Sequence, residues 1–70
     1  MPETINTATA SLEDLQTFAR YKEHETGSSS WMIARMMVNI YVGYLDAGHL
    51  DKHDARHMAA SVVQSALDNS

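Results

Sequence analysis

Seventy residues with 44% hydrophobic content allow one domain, and a core of that size contributes only about 3–5 kcal/mol before any staple is added. The chain has no cysteine, which removes disulfides and every Cys-based zinc site. Five Lys and Arg against nine Asp and Glu leave a net charge of −4, and this acidic balance argues against a phosphate-binding surface.

The first ten residues are short, polar and Thr-rich, with no usable period, and read as a flexible or loosely docked N-terminal arm (residues 1–10). They lack the basic stretch and apolar run of a signal peptide. No apolar run in the chain reaches the ~18 residues that a membrane span needs. The expected setting is cytoplasmic, with no membrane partner.

A single helical domain is expected over residues 11–70. Ser11-Leu12-Glu13-Asp14 has the form of a capping box, and its acids suit the positive end of a helix dipole. Leu12, Leu15, Phe18 and Ala19 then recur at helical spacing as one narrow apolar stripe. Gly27 and the serines that follow end this helix, predicted over about 12–25, and offer a cap for the next.

The segment Trp31–Leu45 is unusual: among its fifteen residues Arg35 is the only formal charge. At about 100° per residue, Arg35 and Asn39 fall on one side with Gly43 nearby, and apolar residues take the rest of the circumference. A bundle helix needs an apolar stripe of only about 100° or slightly more. This segment therefore predicts a central helix over about 30–46 with more apolar surface than two neighbours can cover. Met32, Met36, Met37 and Met58 read mainly as adaptable core filler. Trp31, Tyr41 and Tyr44 read as core or interface anchors, and Gly43 as a place where a crossing helix packs.

Gly48 suits the left-handed residue that ends a helix, and Asp51 to Asp54 repeats a capping start. From there Ala55, Met58, Ala59, Val62, Val63, Ala66 and Leu67 line one face of a third helix, predicted over about 52–68. His53, His57, Ser61, Gln64, Ser65 and Asp68 line the other. The expected fold is all-α: a small three-helix bundle, homodimeric through its hydrophobic central helix. Ile33, Met37, Ile40, Tyr41 and Tyr44 are the expected self-association interface, since a bare apolar patch marks an interaction surface. The competing expectation is that the N-terminal arm folds back over this patch.

Three motifs invite chemistry. His53-Asp54-Ala55-Arg56-His57 resembles the zinc-protease helix, with Asp where that motif has Glu. Two histidines four apart can share a metal, but no third ligand sits at a suitable spacing, so His53 and His57 form only a weak alternative metal site. The stretch from Asp46 to Asp54 resembles the second half of an EF-hand loop, yet the earlier ligand positions hold Gly43, Leu45 and Ala47, and calcium is rejected. A helix-turn-helix reading fails because the third helix offers Lys52, Arg56 and Gln64 beside Asp54 and Asp68. No nucleic-acid partner is expected.

With no glycine-rich phosphate loop and no nucleophile–base set placed by the pattern, the expectation is a non-enzymatic protein–protein interaction module without cofactors. It would act as a regulator, adaptor or inhibitor of a protein partner. Small acidic chains of this kind occur in phages and mobile elements, directed at a host enzyme or defence complex. With the central helix used for self-association, the partner-binding surface falls on the polar faces carrying Glu13, Glu23, Asp54 and Arg56. A purely structural oligomerisation module and a His-mediated metal-responsive protein are the alternatives.

Overall fold

Each helix of this chain begins at a side chain that takes up a free backbone N–H. In the computed structural model, which describes residues 4–69, the Ser11 hydroxyl accepts from the Asp14 N–H at 3.1 Å. Ser28 accepts from Trp31 at 3.2 Å, and the Asp51 carboxylate accepts from Asp54 at 2.7 Å. These three caps open α1 (Leu12–Thr26), α2 (Ser29–Asp46) and α3 (Lys52–Asp68). Gly27 ends α1 in the left-handed region at φ 63°, donating its N–H to the Glu23 carbonyl at 2.8 Å. Gly48 adopts φ 81° beyond α2, and the next N–H, of His49, reaches back to the Tyr44 carbonyl at 2.8 Å. Both glycines stand where an L side chain would be strained. The helices lie within a residue of the boundaries expected from capping and periodicity, and the described residues contain no strand.

Every helix packs against the other two. Leu15 and Phe18 of α1, Trp31 and Val38 of α2, and Val63 of α3 are the largest fully buried side chains. The Phe18 and Trp31 rings meet edge to face, with centroids 5.6 Å apart and planes at 75°. That geometry sets the positive ring edge against the negative face of its neighbour. α3 contributes mainly alanines to the core (Ala55, Ala59, Ala60 and Ala66), so its backbone can lie close to its neighbours. The indole N–H of Trp31 is buried without a hydrogen-bond partner, alone in this among the described side chains.

The segment before α1 is held down wherever it is described. The Arg56 guanidinium donates to the carbonyls of Thr7 and Ala10 at 3.1 and 3.0 Å, and the Thr7 hydroxyl donates to Gln64 at 2.9 Å. Asn6 closes a turn by accepting from the N–H groups of Thr9 and Ala10, and Ile5 packs against the core. These contacts seat residues 5–10 along α3, through Arg56 and Gln64. The part of the arm before Thr4 lies outside the described residues.

Candidate interaction surface

α2 faces two ways. Its inner side places Trp31, Ala34 and Val38 in the core, with Tyr41, Val42 and Leu45 partly buried beside them. Its outer side carries Met32, Ile33, Met36, Met37, Ile40 and Tyr44, each between 36% and 52% exposed. Successive residues turn by about 100°, so these six share a continuous stripe roughly 140° wide. Half-exposed side chains of this size leave an apolar patch on the order of 500–600 Å², near the top of what a typical monomer leaves bare.

The edges of the stripe explain why it carries no formal charge. Arg35 and Asn39 lie on the side of α2 turned toward α1. The Arg35 guanidinium makes two bonds to the Glu23 carboxylate, at 2.8 and 3.1 Å, and Asn39 accepts from the Gln16 amide at 3.0 Å. The paired guanidinium holds the Glu23 carboxyl below its ordinary 4.5, chiefly through the hydrogen bond and further through its charge, while desolvation opposes the shift. The same pairing raises Arg35. On the opposite edge a groove toward α3 is lined by Ser30, Ile33, Met37, Ser61, Val62 and Ser65. Met58, one turn before Val62 on α3, is also exposed. The surface is thus apolar at its centre and bordered by hydroxyls on one flank and by a neutralised ion pair on the other.

Toward its C-terminal end the stripe becomes small. Gly43 and Ala47 are both exposed on it, and a β-carbon added at Gly43 would meet nothing within 4 Å. A glycine inside a helix costs about 1 kcal/mol relative to alanine. Neither α1 nor α3 comes within that distance, so the crossing helix expected at Gly43 is absent among the described residues.

Of the residues expected at the interface, Ile33, Met37, Ile40 and Tyr44 lie together on the outer stripe, while Tyr41 turns inward and packs against the core. The reading of the methionines as core filler is corrected. Met32, Met36, Met37 and Met58 are all at least 36% exposed, because the buried side of α2 is already filled by Trp31 and Val38 and that of α3 by alanines. Met32 and Met36 belong to the patch, and their angular position relative to Ile40 was the available signal. Among the polar residues expected to meet a partner, Glu13 and Asp54 are exposed. Glu23 is engaged by Arg35, and Arg56 by the N-terminal segment. Both are therefore tied into the fold.

The His53 and His57 rings stack with centroids 6.4 Å apart, and His49 meets the Tyr44 ring edge to face at 6.3 Å. Among the described residues no three His, Cys, Asp or Glu side chains gather in a cluster that could hold a metal. No described helix is long and apolar enough to cross a membrane. What the α2 surface can do chemically is exclude water against another apolar surface; thioethers, branched aliphatics and a phenol rim suit burial. Comparison with family models, curated proteins and solved structures finds no match for this chain.

Proposed function

We propose that this chain is a non-enzymatic protein–protein interaction module, a regulator, adaptor or inhibitor that works by contact, and that the outer face of α2 makes its principal protein contact. One observation carries the reading. Six large apolar side chains stand at least 36% exposed on a single charge-free stripe, whereas only six side chains larger than alanine are buried in the core among the described residues. A chain this small gains by covering such a face, because burying apolar area is worth about 25 cal/mol per Å². Glu13 and Asp54 remain exposed on α1 and α3 and are available to a further partner while α2 is covered.

The test places a photo-reactive amino acid at Ile40, at the centre of the face, and at exposed Thr17 on α1 as a control. Irradiation in the native cell is expected to give covalent protein adducts at position 40 in clear excess over position 17. An absence of adducts at position 40 overturns the reading. A purely structural oligomerisation role would use the same face. It predicts that reversing Glu13 and Asp54 to lysine leaves every cellular contact of the module unchanged.

A further inference from the structure

We infer that the occupant of the α2 face is a second copy of this chain, packed antiparallel about a two-fold axis beside Ile40. This rests on the reading of the face as a protein-contact surface and names the partner it takes. The first argument is the size pattern along the stripe. Its N-terminal half holds four bulky side chains, Met32, Ile33, Met36 and Met37, whereas its C-terminal half holds Tyr44 with the small residues Gly43 and Ala47. A two-fold axis lying in the interface at Ile40 reverses the helix direction and keeps each flank of the stripe on its own side.

Along one flank Met36 then meets Gly43 of the second copy, and Met32 meets Ala47 of the second copy. On the other flank Tyr44 falls between Ile33 and Met37 of the second copy, a favourable setting for sulfur against an aromatic ring. Large opposes small along the first flank and the Tyr44 ring seats between two side chains on the second, so two helices can run at the constant 8–10 Å separation that packed helices adopt. A parallel pair would exchange the flanks and crowd Met32 and Met36 against Ile33 and Met37 at one end, bulky against bulky, with Tyr44 alone set against Gly43 and Ala47 at the other.

The surroundings of Gly43 within the chain supply the second argument. Apart from its own stretch of helix, no described residue lies within 4 Å of the position its β-carbon would take, so packing among the described residues gains nothing from the missing side chain. A neighbour outside the chain does gain, because a bare backbone admits a methionine between the helices. Charge supplies the third. The stripe carries no formal charge, and the cation beside it on α2, Arg35, is already paired with Glu23, so two copies of the stripe meet with no like charges opposed along their centre. The exposed patch on each copy, about 500–600 Å², approaches the ~800 Å² per partner of a standard stable interface before Met58 and the serine groove are added.

The test uses the full chain, whose lack of native cysteine lets single-cysteine variants report cleanly. Light scattering over a dilution series up to about 100 μM should give a dimer whose dissociation constant rises at least tenfold in Gly43→Gln. The same variant should melt higher than wild type at dilutions where both are monomeric. Under oxidised glutathione, Ile40→Cys should form a disulfide-linked dimer. Met32→Cys should not, because the antiparallel register holds its two copies about 24 Å apart along the axis.

A wild-type monomer across the whole range overturns the inference, as does a Gly43→Gln dimer of unchanged affinity. Equal cross-linking of Met32→Cys and Ile40→Cys overturns the antiparallel register. The proposed function fails separately. A monomer that still gives adducts to other proteins from position 40 in cells removes the second copy and leaves the contact surface standing. A monomer that gives none removes both.

Discussion

Arg35 is the only charge in the body of α2, and its placement decides the character of that helix. Paired through two bonds to Glu23, it closes the seam with α1 and leaves the outer face uncharged. The pair has a pH signature. Glu23 titrates below its ordinary 4.5 in the folded chain, because Arg35 donates to it. A carboxyl depressed by folding contributes stability that is present above the unfolded value and lost as pH falls through the folded one. Glu25 is depressed in the same direction by Lys22 and Tyr21, so the acid transition of the whole chain mixes both groups. The difference between wild type and Glu23→Gln isolates the pair. The variant should melt lower at neutral pH, and the gap should close as pH drops below 4.5. A gap that is constant from neutral pH into the acid range would mean that the pair contributes nothing ionic. The helical period placed Arg35 to one side of α2, but its partner twelve residues away was not legible, since no local spacing links them.

At the scale of elements, the caps were the most readable features. Ser11 and Asp51 each stand three residues before an acid whose backbone N–H they accept, and Gly27 and Gly48 take the left-handed positions that glycine tolerates. Local rules sufficed there because a cap is a contact across one turn. The segment before α1 was less legible. Its polar composition has no period, yet Arg56 gathers the Thr7 and Ala10 carbonyls and holds it against α3. Hydrogen bonds from a charged donor are worth about 1.5–3 kcal/mol. Arg56→Ala should therefore release this segment, with the amides of Thr9 and Ala10 exchanging much faster while amides in the middle of the helices change little. Unchanged exchange at those two amides would assign the docking to Ile5 and Thr7 instead. The same contacts make Arg56 a structural residue and weaken its candidacy for partner binding.

For the whole molecule the balance of burial is the telling quantity. Among the described residues thirteen hydrophobic ones are buried and seven of these are alanines, which leaves six larger ones, while seven large apolar side chains stand exposed. The described residues thus leave about as many bulky apolar side chains half-exposed as they bury fully, with seven more partly buried against the core. Stability that depends on a second copy depends on concentration. A tenfold increase in protein should raise the wild-type Tm by about 3–5 °C, and Ile40→Lys should lose that dependence while keeping its helical circular dichroism. A concentration-independent Tm in both would mean that the face stays bare.

The sequence by itself determined that there are three helices, where they start and stop, and that the middle one is too apolar to be covered by its neighbours. These follow from period, caps and composition, all of which act within a few residues. Only the tertiary structure decided how far the surplus side of α2 extends, turning Tyr41 inward and adding Met32 and Met36. Trp31 and Val38 claim the inner side because Phe18 and the alanines of α3 leave room for them there. The methionines are left outside by exclusion, and exclusion depends on which volumes three helices bring together.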